Sequence, residues 1–334
     1  MERYDESPEI ALKTGDVIFS KDGSLGNPAL IKELPDKATI NGTMMLVRLH
    51  EKVTPNFFYQ VLNSDSFFRL LHILKSGSSI PHIFQRDMEN FKFKIPQNFS
   101  EQNKISSFLE NVDEKIELLK KKQQLYQDFK KYLMQQIFAQ KLRFDFTEEW
   151  DYLSVEDIFK SVSPKKYQIK SAEIKEYGDF EVIDQGQDEI AGYFNDKTKL
   201  CYELPIIIYG DHTTFVKFRD KPFIVGADGV KLLSPKINAV PKYLFYALEH
   251  FNIKPEGYKR HFSIVKKVKL PIPDLKEQNE ITNIFSNVDI KIKCTQKQLN
   301  ETKEFKKGLL QQMFVYFRMF ILIFVRKSVA LNTS

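Results

Sequence analysis

The sequence predicts an α+β protein in which two mixed α/β domains alternate with two long helices that pair through heptad seams. Three observations predict it. An internal repeat divides the chain into two similar halves. Apolar residues recur four and three apart along two proline-free stretches. Short β-branched and aromatic runs, broken by turn residues, fill what remains.

The repeat comes first. EQNKI at 101–105 returns as EQNEI at 277–281, and NVDEKI at 111–116 as NVDIKI at 287–292. FKK at 129–131 returns at 305–307, and LMQQIF at 133–138 as LLQQMF at 309–314. Every pair stands 176 residues apart with no gap, so these are parts of one duplicated unit. Upstream the likeness weakens: VIFSKDGS (17–24) with IIIYGDHT (206–213), ING (40–42) with IVG (224–226), VTPNFFYQVL (53–62) with AVPKYLFYAL (239–248). Each unit is a variable part followed by a near-constant one. The expected segments are a first domain at 1–97, a helix at 98–140, a second domain at 141–273, a helix at 274–314 and a tail at 315–334.

In the first domain Thr39–Leu49 reads as a strand and Phe57–Leu74 as one or two helices. The first long helix should open at Asn98, three residues before Glu101; the second opens likewise at Asp274, before Glu277. This spacing resembles a capping box. The first seam is Ile105, Leu109, Val112, Ile116 and Leu119, continued by Tyr126, Leu133 and Ile137. The second is Ile281, Phe285, Val288, Ile292 and Leu299, continued by Leu309 and Met313. Gln123, Lys130, Thr295, Thr302 and Lys306 interrupt them. Each helix would run roughly 57 Å at about 1.5 Å per residue, and the obvious partner for each seam is the other copy. In the second domain LCYELPIIIY (200–209), FVKF (215–218) and KPFIVG (221–226) read as short strands.

Composition narrows the function classes. The chain holds 50 Lys+Arg against 44 Asp+Glu, a net charge of +6, which permits a nucleic-acid partner without requiring one. Cys201 and Cys294 lack Cys or His neighbours at ligand spacing, so no disulfide or zinc site is expected, and reduced cytoplasmic thiols are the default. The start of the sequence has no apolar stretch of signal length. The run Val315–Val325 is too short to span a bilayer and Arg318 interrupts it, so no membrane partner is expected. No N-P-P-Y motif for amino-methyl transfer occurs; Gly26-Asn27-Pro28-Ala29 is a fragment of that pattern. With no G-x-G-x-x-G and no phosphate-binding loop, catalytic residues, metal and cofactor are all expected to be none. Asp274 and Asp289 with Lys291 have a nuclease-like composition, but a helix cap and a position one-third along a long helix lie too far apart to share a metal.

The residues expected to meet a polyanion cluster in 254–269, KPEGYKRHFSIVKKVK, which holds six basic residues and one acidic residue. The candidates there are Tyr258, Lys259, Arg260, His261, Lys266 and Lys267. The first copy's counterparts are Ser78, His82 and Arg86. Lys21 and Ser24 in the turn 21–26, and His212, Lys217 and Arg219 in 210–219, complete the set. Lys and Arg can hold phosphate or guanine edges, and glycine-rich turns let backbone amides approach phosphate. The bland alternative for each is a solvated strand or hairpin turn.

These pieces together resemble the specificity subunits of type I restriction-modification systems. The likeness runs from about residue 12 to 314. It is carried by P-x(4)-EQN-x-I, NVDxKI and L-x-QQ-x-F, each occurring twice, by YGDHT (209–213) and VGADGVK (225–231), by GSSIPHI (77–83), and by Trp150 with Leu153 and Ile158. The resemblance implies two target-recognition domains that each read half of a split double-stranded DNA site, on long helices packed antiparallel. The helices would also dock DNA methyltransferase (modification) subunits, which recruit ATP-dependent restriction subunits; the chain itself would not be an enzyme. A coiled-coil scaffold, or a fragment of a fused restriction-modification enzyme, are the other readings. Two departures stand out. The first copy has 138 residues to Phe138 and the second 176 to Phe314, so the first domain is expected to lack roughly 38 residues at its start. After QQMF the tail VYFRMFILIFVRKSVALNTS resembles a non-native continuation, whereas QQIF runs into the soluble AQKLRF.

Overall fold

The computed structural model describes residues 10–34, 36–49, 51–76, 81–226, 228–257, 259–315 and 319–321. The chain forms two compact units. One takes the residues up to 123 with those from 294 onward, the other 124–293, so each unit holds one domain and part of both long helices.

In the first unit a three-stranded antiparallel sheet places β1 (Val17–Ser20) between β2 (Gly26–Leu30) and β3 (Met44–Val47). Helices α1 (Pro55–Leu62) and α2 (Asp65–Ser76) supply its core partners. Val17, Phe19, Phe57, Phe58, Val61 and Phe67 are fully buried in one cluster. Pro55 suits the first turn of α1, where no intrahelical partner for its nitrogen exists. The orphan amide of Thr54 at that end donates to Gln102 Oε1 (2.9 Å), while Gln102 Nε2 donates to Lys52 O and Pro96 O, both at 3.0 Å. The short helix α3 (Gln85–Glu89) and β4 (Phe93–Ile95) follow.

The long helices are α4 (Phe99–Phe138) and, in the second half, α8 (Leu275–Val315). Between them β5 (Asp151–Ser154), α5 (Val155–Ile158), β6 (Phe159–Val162), β7 (Gln168–Ile169), β8 (Phe180–Ile183), β9 (Gly192–Phe194), β10 (Ile206–Gly210), β11 (Val216–Arg219), β12 (Ile224–Gly226) and β13 (Val230–Pro235) precede α6 (Pro241–Phe251), α7 (Phe262–Val265) and β14 (Lys269–Ile272). The antiparallel sheet β11-β10-β13-β6 repeats β2-β1-β3 with one strand added. A second sheet, β7-β12-β8-β9, has no counterpart among the described residues of the first unit. Segment 151–183 therefore goes into β5 through β8. The EQN glutamine works as in the first unit: Gln278 Oε1 accepts from Val240 N (2.7 Å) at the start of α6, and Nε2 donates to Pro273 O (2.8 Å).

Both long helices open on their Asx residue. Asn98 Oδ1 accepts from Ser100 N (2.8 Å), and Asp274 Oδ1 from Lys276 N (2.6 Å) and Glu277 N (3.1 Å). The glutamate half of the expected capping box is not formed. Glu277 is buried and instead accepts from Trp150 Nε1 (2.8 Å) and Arg143 (2.9 and 3.0 Å), stronger partners than a backbone amide. Glu101 is exposed. β5 pairs antiparallel with β14 beside this clasp; in the first unit the strand on β4 is β15 (Met319–Ile321), which follows the second helix.

Within each unit the helices run antiparallel. In the first, Val112, Ile116 and Leu119 of α4 pack with Leu299 of α8 and the half-buried Leu309. Ile105 and Leu109 join the first domain's core together with Leu310, Met313 and Phe314. In the second, Ile281, Phe285, Val288 and Ile292 share the domain core with Leu133, Met134, Ile137 and Phe138. The heptad stripe is thus a seam in part and domain core in part: near each helix start, both the other helix and the domain cover it. Among the described residues no helix is long and apolar enough to cross a membrane.

Candidate nucleic-acid interface

In the second domain β10 ends in the turn Gly210–Thr214, and three other loops are tied to it. Asp211 N donates to Gly229 O (2.7 Å), Thr213 Oγ1 to Gln185 O (2.5 Å), and Gln185 Nε2 to Asp228 O (3.0 Å); Gln185 Oε1 accepts from His212 N (3.2 Å). Gly229 is required there: its φ is +82°, and a Cβ would lie 2.6 Å from the Gln185 amide. The basic stretch joins through Asp211, which is 3% exposed. Asp211 Oδ1 accepts from Phe262 N (2.9 Å) and Asp211 O accepts from His261 N (2.8 Å). His261 Nδ1 also lies 3.1 Å from that carbonyl, and Nε2 accepts from Glu256 N (2.9 Å), which calls for the neutral Nδ1–H imidazole. Lys231 sits 3.6 Å from Asp211 Oδ2 and reaches over the Phe262 ring, as does Lys266. Loops 184–189, 210–214 and 228–229 and the residues Glu256, His261 and Phe262 therefore form one bonded cluster. Lys259, Arg260, Lys266 and Lys267 stand exposed in the basic stretch that it anchors.

The first domain repeats the plan in smaller form. β1 runs into the turn 21–26, and the position of Asp211 falls on Asp22. The His82 imidazole Nδ1 contacts the Asp22 carboxylate, and Ile83 N donates to Lys21 O (2.9 Å). Lys21 N donates to Thr43 O (2.9 Å), which adds the 41–43 turn. Around this staple lie the exposed Ser24, Phe84 and Arg86. Arg86 stands over the Phe84 ring at 5.0 Å, with His82 against the same ring at 4.4 Å.

Three expected contacts change role. Lys217 is 5% exposed, and its ammonium donates to Asp184 O (2.9 Å) and Asp188 O (2.5 Å); burial pulls its pKa below the ordinary lysine value, with Asp184 and Glu189 opposing. It pins loop 184–189 from inside, its ammonium turned to backbone carbonyls and away from solvent. His261 is fully buried and acts as the staple described above. Arg219 pairs with Ile206, at the far end of the hairpin from the turn, and its guanidinium is held by Glu189. Ser78 and Tyr258 lie outside the described residues. His212 is half-buried in the turn itself. Gln185, Asp211 and Phe84 belong to the clusters but were not singled out beforehand. Asp22 and Asp211 occupy matched places in KDGS and GDHT, so the repeat carried a signal for the pair.

The fold and these clusters define a duplicated, two-headed binding protein, each head presenting basic and aromatic loops from a matched turn. Residues 4–126 and 147–304 match the type I restriction modification DNA specificity domain, and the chain belongs to that family. It is 20% identical, over 90% of its length and 79% of the relative's, to the type I restriction enzyme MjaVIII specificity subunit of Methanocaldococcus jannaschii. It is 33% identical, over 29% of the chain and 26% of the relative, to the putative MjaX specificity subunit of the same organism. In fold it is similar to the S subunit of a type I restriction-modification system from M. genitalium, with TM-score 0.64 and 19% identity over 91% of this chain and 84% of that one. A chain from a study of type I R-M complex assembly and conformational transition gives TM-score 0.54 and 17% identity over 90% and 82%.

Proposed function

We propose that the chain is the DNA-reading subunit of a type I restriction-modification assembly and that each loop cluster reads one half of a two-part double-stranded site. The observation that supports this best is that a histidine ring closes the same turn in both domains, His82 on the Asp22 carboxylate and His261 on the Asp211 backbone carbonyl, each holding basic loops at the end of the domain's central strand. Exposed Lys and Arg beside half-buried polar turns suit phosphate anchoring with base-edge contacts: Arg and Lys to guanine, Asp to the cytosine amino group. Lys21, Ser24, His82, Arg86, His212, Lys259, Arg260, Lys266 and Lys267 are the proposed contacts. Methyl transfer and ATP-driven restriction belong to partner subunits in the cytoplasm. The exposed Leu125, Phe129 and Tyr132 of α4, spaced four and three apart, are the proposed docking face for a modification subunit.

A titration with duplex DNA at two salt concentrations tests the reading. Lys259→Glu with Arg260→Glu reverses charge whether a side chain meets phosphate or a guanine edge; it should weaken binding, and flatten the salt dependence by about 0.9 in log–log slope for each contact that is to phosphate. Unchanged affinity and slope would remove this face from the interface.

A further inference from the structure

Two lysines that interrupt the heptad seams, Lys130 and Lys306, are related by the 176-residue repeat, as are Asp113 and Asp289. The structure pairs them crosswise. Asp113 Oδ1 meets Lys306 Nζ at 2.6 Å in the first unit, and Asp289 Oδ1 meets Lys130 Nζ at 3.0 Å in the second. Each pair joins the NVD motif of one long helix to the FKK motif of the other. The residue numbers in both pairs add to the same value, the condition for one antiparallel register.

Each aspartate also uses its second oxygen. Asp113 Oδ2 accepts from Gln60 Nε2 (3.2 Å), and Asp289 Oδ2 from Tyr246 Oη (2.7 Å). Gln60 and Tyr246 are both the sixth residue of the proline-led helix of their domain, α1 and α6. Lys130 adds a bond to Glu249 of α6 at 3.0 Å. One carboxylate in each unit therefore ties three elements together: its own long helix, the other long helix and the reading domain. The lysine side chains are only 15% and 14% exposed.

We propose that Asp113–Lys306 and Asp289–Lys130 are register keys, positioning residues that fix how far the two long helices are slid along each other and where each reading domain is seated on them. The apolar stripe cannot do this alone. It repeats every heptad, so a slip of seven residues restores most of its contacts, while a polar group at a seam position meets its partner in one register only. A slip of one heptad moves one helix by about 10 Å along the other. That is the rise of about three base pairs of duplex DNA, so the keys set the spacing of the two half-sites; this last step rests on the DNA-reading function above.

The test is carried out on the full chain with Cys294→Ser. Spin labels are placed on the exposed positions Leu118 and Phe305, and the distance between them is measured. Lys130→Met and Lys306→Met, combined with Asp113→Asn and Asp289→Asn so that no charge is left buried without a partner, should keep the chain folded, since apolar side chains fill a seam well, yet split the label distance into populations about 10 Å apart along the helix. The reversal Asp113→Lys with Lys306→Asp should return a single distance, where either change alone does not. The spacing of methylated half-sites in the complex with its modification subunit should broaden in the Met variant and recover in the reversal. A single unaltered distance in the Met variant, or melting shifts without any change of distance, would overturn the keys. Shifted distances with unaltered half-site spacing would leave the keys standing and count against the DNA-reading step instead.

Discussion

At the residue scale, the repeat shows how one side chain takes two roles from its surroundings. Glu277 and Glu101 occupy matched positions in EQN, yet Glu277 is 1% exposed and holds Trp150 and Arg143, whereas the Glu101 side chain is exposed and meets none of the described residues. Glu277→Ala should leave the buried Trp150 indole N–H without an acceptor and cost about 1–3 kcal/mol. Glu101→Ala should stay within about 0.5 kcal/mol, as surface changes do. Equal shifts in denaturant midpoint for the two variants would refute this division. The same lesson holds for Lys217 and His261. Their types and neighbours read as polyanion contacts, but the loops they serve fold over them, and carbonyls and a backbone amide take up their polar atoms.

At the element scale, the long helices are defined by a seam that two kinds of partner share. Val112 and Ile116, 8% and 7% exposed, face α8, while Leu118, 60% exposed, does not. Val112→Asp with Ile116→Asp buries two unpaired charges and should destabilise the chain by about 3 kcal/mol or more. Leu118→Asp should move the melting midpoint by no more than an ordinary surface change. Unaltered melting of the double variant would show that these residues do not pair the helices. The helix positions, their starts and the seam were legible in the sequence, because a proline-free heptad stripe opened by an Asx residue has few other solutions. The domain share of the seam was not. Periodicity says that a face is covered, not which element covers it, so Phe285 reads the same whether it meets Phe138 of the other helix or Tyr246 of the domain.

At the scale of the whole molecule, duplication predicts independent effects of the two heads. Lys21→Ala with Arg86→Ala should relax base selection at one half-site only, and Lys259→Ala with Arg260→Ala at the other. Each lost base contact should cost about 1–3 kcal/mol of discrimination. Mapping methylated bases in the assembled complex reads this directly, and relaxation of the same half-site by both variants would refute two independent readers. The sequence by itself determined the duplication, the alternation of domains and helices, and the family, since these depend on spacing and periodicity, which are properties of the chain order. The tertiary structure alone decided which polar residues are tools and which are braces. Lys130 and Lys306 read as flaws in a heptad, Asp113 and Asp289 as letters of the repeated NVDxKI motif, and Asp289 besides as an acid too far from Asp274 to share a metal. Their meaning exists only once an antiparallel fold brings positions far apart in sequence within hydrogen-bonding distance of the same carboxylate.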